Sequence, residues 1–290
     1  MYWKNICDDN YERAAQLLRQ IDVFQRYILD NDVELDNFGG WLCRYYYSYK
    51  DILGVITACI YNEKILINIS FDPDMPDSTG DDIIKILKKL INNTDKAVRI
   101  WCRYQNKNLI SLISKKFLIS PTYRAREMSI SKSNFSKWKE PIIPQGYHTR
   151  GYSKINHSEY INLLEEAMGH LHQEGEHPYI KRSESLANLW SDTSVRNSFI
   201  SLWENKNLIA FCHGVGGEVT QLAVGKSYQR KGYGYLLLHN TIKYLYQVSD
   251  SLICLYVVDE NINAYKFYSG IGMKETGHCA RFTLEPGLLK

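Results

Sequence analysis

The hexapeptide Gln229-Arg230-Lys231-Gly232-Tyr233-Gly234 constrains this chain more than any other segment. It joins a strand-like run, residues 218–224, to a run with helical spacing, residues 235–246. A strand, a glycine turn and a helix in that order are therefore built into the fold. The first N–H groups of such a helix have no intrahelical acceptor, and the helix dipole makes that end positive. Phosphate oxygens suit such an end. Arg230 and Lys231 add two cations beside it. Taken alone, the loop is also satisfied by a plain tight turn before a helix, so both readings stay open at this point.

Around the loop the second half reads as mixed α/β. A short strand starts at 147–151, and 158–170 has helical spacing through Tyr160, Leu163, Leu164 and Ala167. A helix is expected over 183–190. Strands are expected at 198–203, 208–214 and 218–224, and 252–258 reads as a buried strand. A short helix over 263–269 and a last strand over 278–284 complete the order. The first half repeats this more weakly. Residues 51–61 and 64–71 form a hairpin around Asn62-Glu63, and 81–91 is a helix with Ile83, Ile84, Leu87 and Ile91 on one face. A strand at 98–103, a helix at 109–115 and a closing strand at 126–131 follow. The loop before its first helix, 72–80, is acidic and lacks arginine and lysine, so it repels phosphate. Between the halves, 131–146 breaks every period with two prolines and a glycine. The expected domains are 1–135, a linker at 136–146, and 147–290.

Bulk properties narrow the class. With 290 residues the chain is long enough for two cores, and 44% hydrophobic against 23% charged residues is the balance of a globular protein. A net charge of +3 is too small for the basic stripe of a nucleic-acid binder. The seven cysteines are odd in number and contain no Cys-x-x-Cys pair, which argues for a reducing compartment and against a disulfide framework or zinc site. The first residues carry no apolar segment of the signal-peptide kind, and the apolar run at 52–61 is too short to span a bilayer. A cytoplasmic protein without membrane or nucleic-acid partners is expected.

Two further features accompany the loop. Glu218 opens an otherwise mostly apolar strand, where a carboxylate at a cleft mouth can accept a proton and a strand-end glutamate can equally be plain surface. In Asn261-Ile262-Asn263-Ala264-Tyr265-Lys266-Phe267-Tyr268, a capping asparagine starts a helix that carries Tyr268 inward. A phenol with a pKa near 10 stays protonated at neutral pH and can donate to a departing anion, although core packing explains the same aromatic pair.

Together these features resemble the GNAT N-acetyltransferase superfamily over about residues 147–284. That family carries Gln/Arg-x-x-Gly-x-Gly/Ala after its fourth strand, matched by Gln229, Gly232 and Gly234. It often carries Asn-x-x-Ala-x-x-Phe-Tyr-x-x-x-Gly-Phe after its fifth, matched by Asn261, Ala264, Phe267, Tyr268 and Gly272, with Met273 in place of the last Phe. The resemblance implies an α/β (α+β) fold of two GNAT-like domains, each a mixed, mostly antiparallel sheet flanked by helices. It implies acetyl-CoA as cosubstrate, held without metal in a cleft between splayed fourth and fifth strands. Backbone N–H groups of Arg230, Lys231, Gly232, Tyr233, Gly234 and Tyr235, beside Gln229, would receive the pyrophosphate. Leu222, Ala223 and Val224 would pair with the pantetheine arm, which Asn261 and Ala264 would border. Glu218 falls where some members place a general base, Tyr268 where they place the general acid, and an N–H near Ala223 would meet the oxyanion. The first half, with Ile113 near the Tyr268 position and no phosphate loop, resembles a degenerate tandem repeat.

The amine acceptor is not legible, and neither are acyl-chain preference and oligomeric state. A non-catalytic module that binds CoA as a sensor or scaffold is the rival from another class. Three other signals are set aside. Residues 169–177 are rich in His and Glu, but the spacing suits no metal site; the resemblance implies that this region, between the first two helices, borders the acceptor. Val224-Gly225-Lys226-Ser227 lacks the earlier glycine of a nucleotide P-loop. His213 and His239, alone in apolar runs, are expected to be structural.

Overall fold

The computed structural model describes residues 3–31, 38–92, 94–171, 178–192 and 198–285. In chain order the elements are β1 (Trp3–Asn5), α1 (Tyr11–Arg19), α2 (Val23–Asp30), β2 (Phe38–Tyr49), β3 (Ile52–Tyr61), β4 (Lys64–Asp72), α3 (Gly80–Asn92), β5 (Val98–Arg103), α4 (Lys107–Phe117) and β6 (Tyr123–Ile130). There follow α5 (Lys132–Phe135), β7 (Tyr147–Arg150), α6 (His157–Met168), α7 (Ser183–Ser191), β8 (Ile200–Glu204), β9 (Asn207–Val215), β10 (Glu218–Val224), α8 (Tyr233–Val248), β11 (Ile253–Val258), α9 (Ile262–Gly270) and β12 (Lys274–Leu284).

The chain divides into two compact units, 1–127 with 275–290, and 128–274. This differs from the partition at 136–146 in two ways. The last strand, β12, belongs to the first unit, because it pairs antiparallel with β5 from Cys279 opposite Arg103 to Leu284 opposite Val98. The proline-bearing segment belongs to the second unit and packs on α8. Trp138 lies against Tyr235 with ring centroids 5.5 Å apart, Phe135 lies 5.6 Å from Tyr246, and Glu140 pairs with Lys243 at 2.5 Å. A stretch that breaks every period carries no helix or strand signal, yet its aromatic residues bury well against a neighbour.

In the first unit β2, β3 and β4 form an antiparallel meander, turned at Asn62 and Glu63 with φ of 48° and 60°. Two positive φ values make the mirror-image turn that suits strand twist, and asparagine tolerates it. Helix α3 then carries the chain over to β5, parallel to β4. Its buried residues Ile83, Ile84, Leu87 and Ile91 recur at helical spacing and pack on the isoleucines of β4.

The second unit repeats the plan. Strands β7 to β10 are antiparallel neighbours, and β11 runs parallel to β10 after the crossover through α8. Alternation along β9 sends Cys212 to the face covered by α8 and α9, and Phe211 to the face covered by α6 and α7. The α6–α7 face holds an aromatic core of Tyr160, Trp190, Phe199 and Phe211. The α8 face holds Leu237, Leu238, Ile242 and Val257, each worth about 2 kcal/mol when buried. Among the described residues no helix is long and apolar enough to cross a membrane.

Candidate active site

The site begins with a failure of strand pairing. β10 and β11 share a single residue pair, Glu218 opposite Cys254, fixed by the Cys254 N–H donating to Gly217 O at 2.9 Å. Beyond it the two parallel strands separate, which leaves the β11-facing edge of β10 open toward Val224. Next to this point β10 carries a bulge between Val219 and Gln221. One extra residue twists the strand and reverses its parity. Val219 before the bulge and Leu222 after it therefore pack toward the same α8 face, while Ala223 faces α6 and α7.

At the open end lies the glycine loop. Gly232, at φ 86°, is the N-cap of α8 and offers no side chain to cap it. The first intrahelical bond runs from Leu236 N–H to Gly232 O at 3.0 Å, so the N–H groups of Tyr233, Gly234 and Tyr235 precede the helix ladder. Arg230 is also left-handed, at φ 60°, which a non-glycine residue adopts at a cost. Alternating backbone hands of this kind turn successive N–H groups into a concave nest for an anion. Lys226, Arg230 and Lys231 are exposed around it. A pocket of about 250 Å³ adjoins this turn, walled by Lys231, Gly232 and Tyr235 on one side and by Lys139 and Pro141 on the other.

Gly234 shows what the cleft has room for. A Cβ built there would lie 3.7 Å from Val224, 3.8 Å from Phe267 and 4.0 Å from Leu222. The loop, the end of β10 and helix α9 thus converge on one slot, and the missing side chain keeps it open. From Val224 back to Glu218 is about 20 Å of extended strand, a span for a long thin ligand lying along the β10 edge. The residues fit a CoA-type cosubstrate in three respects: an open strand edge, an anion nest at its far end, and a glycine where bulk would fill the slot.

Individual side chains take more restricted parts. Gln229 turns back to donate from Nε2 to Val224 O at 3.2 Å, tying the loop to the strand end. Tyr233 is buried in the α8 core, which leaves its N–H as the group near the nest. Tyr235 donates its hydroxyl to Lys139 O at 2.7 Å. Asn261 caps α9 by accepting from the Ala264 N–H at 3.1 Å. Glu218 is half-buried at the closed end, and alternation with Val219 puts it on the α6–α7 face. Tyr268 belongs to the α8-face cluster, 8% exposed. Burial, and secondarily the neighbouring Cys212, pushes its phenol well above the ordinary tyrosine range. It therefore remains a proton donor throughout neutral pH. The carboxylate and the protonated phenol thus lie on opposite faces of the sheet.

The sequence reading missed a polar cluster at the bulge. His213, opposite Gln221 on β9, is fully buried, yet its Nδ1 lies 2.8 Å from Thr220 Oγ1 and 3.1 Å from Gln221 Oε1. Trp190 of α7 donates to the same Gln221 oxygen at 3.4 Å. The legible signal was the Thr220-Gln221 pair, two polar residues in an apolar strand. Among the described residues no group of three or more His, Cys, Asp or Glu is placed to hold a metal. His172, Glu174, Glu176 and His177 of the histidine-rich segment lie outside the described residues.

The acetyltransferase (GNAT) family model matches residues 159–273. No curated protein sequence matches the chain significantly. In fold it is similar to a GCN5-related N-acetyltransferase from Sphaerobacter thermophilus, with a TM-score of 0.58 and 13% identity over 98% of this chain and 96% of that one. A GNAT-family acetyltransferase from Colwellia psychrerythraea gives 0.53 at 9% identity, over 98% of this chain and 100% of that one. A tandem GNAT protein from the clavulanic acid biosynthesis pathway gives 0.52 at 8% identity, over 98% of each chain. At such identities the likeness shows a common fold. Residues 159–273 thus match the acetyltransferase (GNAT) family model, in a chain whose fold is similar to that of a solved tandem GNAT protein.

Proposed function

We propose that this chain is an acetyl-CoA-dependent N-acetyltransferase acting on a primary amine through its second unit. The observation that carries the reading is the divergence of β10 from β11 after one residue pair, with an uncapped helix start at the open end. Acetyl-CoA would supply the thioester carbonyl that the amine attacks. The nest from Arg230 to Tyr235 holds the diphosphate, and the edge of Leu222, Ala223 and Val224 aligns the arm. Glu218 takes the ammonium proton, directly or through water, from the α6–α7 side. The backbone N–H near Ala223 meets the charge that develops on the carbonyl oxygen. Tyr268 gives its proton to the departing thiolate from the opposite face.

The first unit is assigned no cofactor. Its parallel pair, β4 and β5, stays registered over five residue pairs, from Ile65 opposite Val98 to Ile69 opposite Cys102. Where that pairing ends, the Asn106 side chain occupies the strand edge. It accepts from Phe71 N–H at 2.8 Å and donates to Phe71 O at 2.9 Å.

Calorimetric titration of the full chain with CoA and acetyl-CoA, followed by thiol release across a panel of primary amines, tests the reading. Binding and amine-dependent release are expected. Binding without release from any amine would leave a CoA-binding module, and absence of binding would end the proposal.

A further inference from the structure

The anion nest has a wall that neither β10 nor α9 supplies. Residues 139–144 run past the start of α8 and, with Lys231, Gly232 and Tyr235, enclose the pocket of about 250 Å³ beside the nest. This strap is held in shape at both ends. The Lys139 carbonyl accepts the Tyr235 hydroxyl at 2.7 Å, Glu140 pairs with Lys243 at 2.5 Å, and the Pro144 carbonyl accepts the Tyr147 N–H at 3.1 Å. Pro141 and Pro144 fix two of its φ angles. The strap also lies outside the family-matched residues 159–273, so it is a feature of this chain beyond the matched domain.

The lining identifies the kind of ligand. Pro141 and Ile142 give the strap an apolar surface, and Ile142 stands 87% exposed at the pocket rim, where covering it removes apolar area from water. Lys231 carries its ammonium over the Tyr228 ring, 5.1 Å from the centroid, and the Glu140 carboxylate is held by Lys243. Lys139 is then the cation that the strap itself offers to the pocket. A diphosphate resting on the N–H groups of Tyr233, Gly234 and Tyr235 has two ends. One follows the edge of β10, and the other leaves past Lys231 and Gly232, where the pocket begins. We propose that the strap takes the 3′-phosphoadenosine end of CoA, with the base against Pro141 and Ile142 and the 3′-phosphate against Lys139. The chain thereby selects a free CoA thioester over a donor that ends at phosphopantetheine. This deepens the transferase reading and rests on it for the identity of the ligand.

The test is calorimetric titration of the full chain with CoA, 3′-dephospho-CoA and 4′-phosphopantetheine, in the parent and in two variants. Both substitutions change exposed side chains and leave the backbone bonds of the strap in place. The parent is expected to bind CoA most tightly and 4′-phosphopantetheine least. Lys139→Gln is expected to weaken CoA about threefold, the scale of one exposed charge pair, and to leave dephospho-CoA unmoved. Ile142→Ser is expected to weaken CoA and dephospho-CoA alike, about fivefold, and to leave 4′-phosphopantetheine unmoved. Equal affinity of the parent for all three ligands would overturn the proposal. So would a variant that keeps the parent's CoA affinity, or one that weakens 4′-phosphopantetheine as much as CoA. The two readings separate in the same titrations once thiol release is added. Equal binding of the three ligands with amine-dependent release from acetyl-CoA keeps the transferase and sinks the strap. The expected variant pattern without release from any amine keeps the strap and sinks the transferase. Binding of none of the three ends both.

Discussion

Tyr268 and His213 are two buried titratable groups whose burial acts through opposite charge states. The phenol is neutral when protonated, so burial strengthens its hold on the proton, and Tyr268 cannot be lost as an acid by modest alkalinity. Tyr268→Phe keeps the ring packing of α9 and removes only the donor. Turnover is expected to fall about a hundred-fold or more while the calorimetric acetyl-CoA affinity holds, and unchanged turnover would remove Tyr268 from the mechanism. The imidazole is neutral when deprotonated, so burial lowers its pKa from 6.5 to about 4. The unfolded chain binds a proton there before the folded chain does. The stability this group contributes is therefore complete above about pH 6.5 and is lost as pH falls toward 4, about 3 kcal/mol at most across the window. Denaturant midpoints at pH 7 and pH 4.5 should converge in His213→Asn relative to the parent. Equal acid sensitivity in the two proteins would show that other groups govern it.

At the scale of elements, the proposed reading makes strand pairing decide which half can hold a long ligand. The loop, β10, α8 and α9 were readable from Gln229, Gly232, Gly234, Asn261 and Tyr268, because turn chemistry and helical spacing are local properties. The bulge was not readable. Whether Thr220 sits in register depends on how β9 pairs with it across the hairpin, which the pattern along a single strand does not show. For the same reason His213 read as a lone core residue: its partners, Gln221 and Trp190, come from a different strand and a helix. Asn106 was equally silent, although it fills the edge in the first unit that stays open in the second. It is fully buried and also reaches Pro73 O at 3.3 Å. Asn106→Ala would remove both bonds that Asn106 makes to Phe71, leaving the Phe71 carbonyl to Arg103, at a cost of about 2–3 kcal/mol. A clear fall in melting temperature is expected, with CoA stoichiometry remaining one per chain, because β4 and β5 are still paired beside the lost plug. A second binding event would show that Asn106, rather than strand pairing, is what closes that half.

On the scale of the whole molecule, the two units are not two consecutive stretches of chain. Element order alone suggested a cut near residue 140, since each half supplies its own meander, crossover helix and parallel strand. The edge of β5 decides otherwise, because it is completed by β12 from the far end of the sequence. Phe282 stands opposite Ile100 in that pairing and is fully buried among Ile69, Ile100 and Leu109 of the first unit. A fragment ending near residue 146 would therefore expose β5 as an unpaired edge and leave that core short of Phe282 and Leu284. In the intact chain, Phe282→Ala should cost about 3–5 kcal/mol, drawn from the first unit even though the substitution lies about 150 residues beyond the bulk of it. Hydrogen exchange resolved by segment is the appropriate measurement. Amides of β4 and β5 are expected to lose protection, while those of α8 keep theirs. If α8 loses protection in step with β5, the units unfold as one body, and the division of the chain into two stability units is wrong.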